Sequence, residues 1–565
     1  MHSIALWLAH GGYVLLLCLQ AVLIVGLVAW RWRELRGRPW ATRGAEGDRP
    51  VPGTTAWWRT ALGLGLLVAA VAAALRFSLP ASPQVVYDEF WYLSTARHMR
   101  CTGAATPYIV RDGTGVAPPG DEFRPPYPQG WPWLETVIAG SGGAWARAVT
   151  LQRGVGVAAC VALFAAFAAE SLVAAAYTGL GLAILPAFVR LGQGASAEGA
   201  SALFVILALW AARSQRWRPG PAGALLALAS LAWALQMRPE NILYLPLFLP
   251  VAFLRTSGDT DADASPDEME TDPEATPIDA SAASGRFGSG LGMAGWAIGL
   301  GLFVLFVGAD LSIMADGAAG PHASDHFVAQ PRPGFATWQA NMVANLRENG
   351  LFFFDGRVLP RWVTAMALLG VAMLARRGWF MAIGWFFGWI GLFTLALSPY
   401  PFGDFPAAHS ADTWRFSVQV SLPLLMLGGR GVEWAVRGAR RGQTMLMLAA
   451  LGVPMALSVG AYWDFVTAPN PRIATWTDLE QVAQRVDGPV WVSDDSVAVA
   501  LQEGFGLDVV WPRDGSAPTE ARRPCWLLAV GDDAPAAWRP MALDLRWTTG
   551  PVATGREGLT LYQLR

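Results

Sequence analysis

The sequence predicts a polytopic α-helical membrane protein of about twelve transmembrane helices, closed at its C-terminal end by a small extracytoplasmic α/β domain. Three observations predict it. Of the 565 residues 53% are hydrophobic and only 15% charged. Apolar runs long enough to cross about 30 Å of hydrocarbon at about 1.5 Å per residue recur from Tyr13 to Trp463. After residue 463 the pattern changes to short apolar runs separated by turn formers. The mean hydropathy of +0.35 belongs to a chain whose main solvent is lipid. The net charge of -2 says little about partners, because charge is sorted by side of the membrane, and nothing points to nucleic acid.

The first span, 11–31, leads into an arginine-rich stretch and has no small-residue cleavage site, so it reads as a retained helix. All 41 basic residues are Arg. They crowd the loops Arg31 to Arg59, Arg213 to Arg218, Arg376 with Arg377, and Arg430 to Arg441, which the positive-inside rule places in the cytoplasm. The alternate segments then lie outside: 77–146, 190–198, 238–241, 311–359, 398–413 and everything after 464. A short run at 242–254 carries Pro246 and Pro250 and predicts a broken or tilted span. Residues 256–286 turn acidic and polar, a composition that buries too little apolar surface to fold, and read as a disordered cytoplasmic linker. Its carboxylates lack the fixed spacing of a calcium loop. Division falls at 1–463 and 464–565. In the second part, strands are expected at Pro489 to Ser493, Leu507 to Trp511, Cys525 to Gly531 and Leu559 to Leu564, with helices at Asp478 to Val486 and Ser496 to Glu503. Cys101 and Cys525 both fall outside the cytoplasm, where a disulfide is permitted.

Chemistry is expected first in the loop 77–146. It opens with Tyr87-Asp88-Glu89-Phe90-Trp91-Tyr92-Leu93, two adjacent carboxylates where the chain leaves the membrane. Partial desolvation and mutual repulsion make one of such a pair a stronger base. Alternatively Asp88 caps a helix on the membrane surface, with Glu89 in its first turn. Further on, Arg124-Pro125-Pro126-Tyr127-Pro128 is rigid and aromatic, suited either to the wall of a site or to a structural loop.

These segments, in this order, resemble the GT-C glycosyltransferases, among them the protein O-mannosyltransferases and the lipid A aminoarabinose transferases. The likeness extends to Arg190 through Ser196-Ala197-Glu198, to Arg238-Pro239-Glu240-Asn241 between two spans, and to Asp412-Thr413-Trp414-Arg415-Phe416 leading into Leu422-Pro423 and Gly428-Gly429-Arg430-Gly431. It covers about 77–463. An extra span precedes the family's first, Phe90-Trp91 replaces smaller residues or Tyr after the acidic pair, and Phe416 stands where Tyr is usual.

The resemblance implies a cell-membrane enzyme of the bacterial envelope. It would take a sugar from a polyprenyl-phosphate donor and pass it, with inversion, to a hydroxyl of a lipid, glycan or protein acceptor outside the cytoplasm. No P-loop or Gly-rich strand-to-helix turn is present, in keeping with a donor that is not a nucleotide sugar. Asp88 is expected to be the base, and Glu89 a reserve that orients the acceptor or holds a cation. Arg238 and Arg415 would clamp the departing phosphate, or else anchor span ends by snorkelling. Glu198 and Glu240 are expected to pair with those arginines. Asp404, His409 and Asp412 contact substrate or stay hydrated. His322, Asp325 and His326 leave open a divalent-cation site that lacks a third strong ligand; no cofactor is required otherwise. A transporter or lipid flippase, or a non-catalytic scaffold, are the rival classes; the first predicts charges at span centres and internal repeats, and neither is evident.

Overall fold

The structure is a computed structural model, which describes residues 11–36, 55–84, 86–105, 128–139, 144–168, 171–215, 220–246, 290–319, 359–376, 417–436, 441–467, 473–511, 526–530, 543–549 and 558–564, with a few single positions such as Arg415. The helices are α1 Tyr13–Arg36, α2 Thr55–Phe77, α3 Val86–Thr102, α4 Gly130–Glu135, α5 Trp145–Ala168, α6 Leu172–Ala183, α7 Pro186–Leu191, α8 Glu198–Ser214, α9 Pro221–Met237, α10 Gly290–Ala319, α11 Arg361–Arg376, α12 Ser417–Val436 and α13 Arg441–Thr467. A 3-10 turn, Pro239–Tyr244, follows α9. Among the described residues, four helices are long and apolar enough to cross a membrane, within α1, α2, α5 and α10. The acidic linker 256–286 and the expected spans between 377 and 414 lie outside the description, apart from isolated positions, and so does the rest of the span expected at 242–254 after Pro246.

These helices carry apolar side chains on both faces, as lipid-embedded helices do. On α1, Tyr13, Leu17, Ile24 and Leu27 are buried while Leu15, Leu19, Val22 and Val25 are exposed. Leu62 and Leu66 on α2, and Ile298, Val304 and Leu305 on α10, form similar exposed stripes. The extra helix α1 is keyed into the bundle by polar contacts: Tyr13 Oη donates to Asp310 Oδ1 at 2.9 Å and Gln20 Nε2 to the Ala229 carbonyl at 3.1 Å. The sequence starts an external loop at 311, yet α10 continues to Ala319. Ile313, fully buried with Tyr13 and Leu17, carries the helix past the predicted boundary. Small residues set the crossing of α11 with α12. A Cβ on Gly431 would stand 2.7 Å from the Gly370 nitrogen, so the glycines of the 428–431 stretch are needed for close helix approach.

The arginine loops collect at one end of the bundle. Arg31 at the end of α1 donates to Ser214 Oγ at the end of α8, 2.9 Å away. Arg213 and Arg430 both lie over the Phe167 ring at the end of α5, and Arg376 lies over Trp434. Because α8 has 17 residues, about 25 Å of helix, its first residue, Glu198, belongs to the opposite end.

At the C-terminal end, α14 (Ile473–Arg485), β1 (Val490–Val492), α15 (Asp495–Phe505), β2 (Val509–Val510), β3 (Trp526–Val530), β4 (Leu543–Thr548) and β5 (Leu559–Leu564) build a mixed sheet of order β2-β1-β3-β5-β4. Strands β2, β1 and β3 are parallel; β5 is antiparallel to β3 and β4. Helix α15 is the crossover between β1 and β2, capped by the Asp494 carboxylate at its start and by left-handed Gly506 at its end. Four strands and both helices match the sequence reading, while β4 is an addition. Cys101 is a free, exposed thiol, and Cys525 lies outside the described residues.

Candidate active site

Four helix ends meet at the end of the bundle away from the arginine loops. Asp88 stands in the first turn of α3, where the helix dipole favours a carboxylate. Arg415 precedes α12, an unfavourable place for a cation unless an acid faces it. Its Nη1 lies 3.4 Å from Asp88 Oδ2, across 327 positions of sequence. Both side chains keep some access to solvent, 15% and 21% exposed.

Beside this pair sits a second, drier cluster. Arg238 caps α9 at its C-terminal end and reaches Glu240 at 3.2 Å and Glu198, the first residue of α8, at 3.6 Å. Burial works against the Arg238 charge, but Glu240 and Glu198, with Tyr92 and Asp88 further off, hold it firmly protonated. Tyr92, one turn after Asp88 on the same face of α3, is buried between the two clusters. Burial first, then the Asp88 charge, pushes its phenol up, with Glu198 acting the same way and Arg238 and Arg415 opposing. One neutral hydroxyl thus stands within electrostatic reach of two carboxylates and two guanidinium groups.

Glu89 faces elsewhere. It is fully buried, and its carboxylate accepts from the Gln84 backbone N–H at 2.8 Å, Trp145 Nε1 at 2.8 Å and the Ala195 backbone N–H at 2.7 Å. A Cβ on Gly194 would approach the Glu89 carboxyl carbon to 2.9 Å, so glycine there lets the 192–195 turn close over the acid. The same turn is bonded through Gly192 O to Arg153 Nε at 2.9 Å and through Gln193 O to the Ser82 N–H at 2.9 Å. Glu89 therefore ties the start of α3 to α5 and to the segment before α8. The acid expected as a reserve is, in the structure, a hub of internal hydrogen bonds.

Near it lies Glu135 at the end of α4, fully buried. Trp131 Nε1, one turn earlier, donates to the Ala195 carbonyl at 3.0 Å. Burial above all, then the Glu89 charge, pushes the Glu135 carboxyl well above the usual carboxylate range, with the Trp131 N–H opposing and Glu503 adding to it. Glu503 is likewise pushed up by burial, against the pull of Gln502 and Arg97. For an acid whose value is raised by folding, the unfolded chain releases its proton first, so stability is full below about pH 4.3 and falls as pH rises toward the raised value. Glu135→Gln should therefore raise the melting temperature at pH 7 and flatten its decline as pH rises above about 4.3. A variant melting lower at pH 7, with the slope kept, would contradict this assignment.

Among the described residues, no group of three His, Cys, Asp or Glu side chains is set to hold a metal ion. Arg124, Tyr127, Asp404, His409, Asp412 and the His322, Asp325, His326 group lie outside the described residues. The sequence reading missed Tyr92, whose signal was its four-residue spacing from Asp88, and Glu135, whose burial no local pattern announces.

No known family model matches the chain, and no curated protein matches it. Among solved structures the chain is similar to ArnT from Cupriavidus metallidurans bound to undecaprenyl phosphate, with 14% identity over 90% of this chain and 98% of that one and a TM-score of 0.47. The oligosaccharyltransferase of Archaeoglobus fulgidus, in complex with zinc and sulfate, aligns at 10% identity over 88% of this chain and 72% of its own, with a TM-score of 0.46. The arabinosyltransferase EmbB from Mycobacterium smegmatis aligns at 12% identity over 85% and 44%, with a TM-score of 0.38.

Proposed function

We propose that the chain is a GT-C-type membrane glycosyltransferase that moves a sugar from a polyprenyl-phosphate-linked donor to an acceptor hydroxyl, with inversion, at the extracytoplasmic face of a bacterial cell membrane. The observation that carries it is the Asp88–Arg415 pair at 3.4 Å, with Arg238 held beside it by Glu198 and Glu240. A carboxylate base next to two guanidinium groups at one end of a lipid-embedded bundle suits transfer from a lipid phosphate. The arginine loops occupy the other end, which the positive-inside rule assigns to the cytoplasm.

In the step, Asp88 takes the proton of the acceptor hydroxyl as its oxygen bonds to the anomeric carbon. The bond from that carbon to the phosphate oxygen breaks, and the electron pair leaves with polyprenyl phosphate. A phosphate leaving group needs positive charge rather than an acid, and the planar fork of Arg415 can pass from Asp88 to a phosphate oxygen when the donor arrives. That exchange also releases the base. Arg238 supplies the second, fixed charge.

The test uses the full chain in lipid nanodiscs with polyprenyl-phosphate-linked sugars, following polyprenyl phosphate release and sugar transfer. Movement of lipid or solute in proteoliposomes without transfer would establish a transporter or flippase instead. Arg415→Ala is expected to lower kcat/KM by about 100-fold, as removal of a donor that stabilises developing charge does. Arg415→Lys should recover only part of this, because a point charge replaces a fork.

A further inference from the structure

Helix α3 has two working faces. Asp88 and Tyr92 share one, while Phe90, Leu93 and Arg97 lie on the other, half a turn round the 3.6-residue repeat. That second face does not meet lipid: it is covered by the C-terminal unit. Phe90 is fully buried and stacks on Trp476 of α14, with ring centroids 5.4 Å apart and planes 7° from parallel. Trp476 in turn stacks on Phe505 of α15 at 4.4 Å. Phe90, Leu93 and Trp145 share one apolar core with Leu479, Val482, Val499 and Leu501. The contact of α15 is close enough to require glycine: a Cβ on Gly504 would stand 2.8 Å from Trp476 and 3.2 Å from Phe90. Beside it Arg97 Nη1 bonds Glu503 Oε1 at 3.2 Å, with Glu503 only 1% exposed and also held by Gln502 Nε2 at 2.8 Å.

We propose that the C-terminal sheet unit is the buttress of the Asp88 helix, and that Phe90, Glu503 and Gly504 are positioning residues for the reaction. This rests on the function proposed above and adds to it. Asp88 faces Arg415, just before α12, and lies within electrostatic reach of Arg238 at the end of α9, whereas the opposite face of α3 is covered by α14 and α15. The aromatic residues directly after the acidic pair then have a physical reason: they belong to the docking surface for α14 and α15. A group acting from one helix behind can change the turnover step without changing how the donor is bound, since the geometry of attack is far more sensitive to displacement than ground-state binding.

The test is made on the full chain in nanodiscs with Glu503→Gln, Glu503→Asp and Gly504→Val. Transfer kinetics are read together with hydrogen exchange of the α3 amides. For Glu503→Gln and Gly504→Val, kcat is expected to fall about 10- to 100-fold with the donor KM within about twofold, and Glu503→Asp to recover much of the loss. The α3 amides should exchange faster in both, with α5 and α8 unchanged. Unaltered kcat and unaltered α3 exchange in Glu503→Gln would overturn the proposal. So would faster exchange of α15 in Gly504→Val with no response in α3, whatever the activity. If the parent chain transfers no sugar, the exchange coupling between α15 and α3 still decides the buttress, while the functional reading alone fails.

Discussion

Asp88→Asn is expected to abolish sugar transfer, lowering kcat by about 100- to 10,000-fold, the usual contribution of a general base. Asparagine keeps the size and one carbonyl oxygen for Arg415, but it takes no proton. The fold should survive. The Asp88–Arg415 pair is part-buried but keeps some access to solvent, and the retained carbonyl oxygen still accepts from Arg415, so the cost expected is only about 1–2 kcal/mol. The melting temperature should therefore move little while turnover disappears. Membranes carrying the variant, incubated with a radiolabelled polyprenyl-phosphate sugar, provide the measurement. Transfer that persists unchanged would remove Asp88 as base, and with it the mechanism. Lost transfer with a large fall in melting temperature would point to a damaged fold, so both readings are needed.

The difference between what the sequence disclosed and what it withheld follows the range of the forces involved. Lipid-embedded helices are written in long apolar runs, and the sorting of arginines to one end is written in their loops, so both were legible. The C-terminal strands were legible from short apolar runs between turn formers. Strand β4 was not, although Leu543-Asp544-Leu545-Arg546-Trp547 alternates; it lies at the sheet edge and is only partly buried, which weakens the apolar signal. Arg415 and Asp88 could each be nominated from the chain, but their meeting spans 327 residues and no local pattern encodes it. The same holds for Glu503 and Arg97. The internal bonds of Glu89 were hidden for a different reason. Two of its partners, at Gln84 and Ala195, are backbone N–H groups, which every residue except proline possesses, so composition gives no hint of them.

That hidden role gives Glu89 the second large effect, and a sharper contrast with its neighbour. Removing the carboxylate in Glu89→Leu strands the Gln84, Trp145 and Ala195 donors in a site with no access to water. Breaking a buried charged network of this kind costs about 3–5 kcal/mol. Glu89→Gln is milder, because its carbonyl oxygen can take the place of Oε2 and keep Trp145 and Ala195, leaving its amide against the Gln84 N–H; the cost expected is about 1–3 kcal/mol. Thermal unfolding in detergent should thus rank parent above Gln above Leu, and transfer should fall in the same order. Asp88→Asn shows the reverse separation, with activity lost and melting kept. If Glu89→Gln abolishes transfer at an unchanged melting temperature, the three bonds are not what the acid is for, and its carboxylate must turn toward substrate during the reaction.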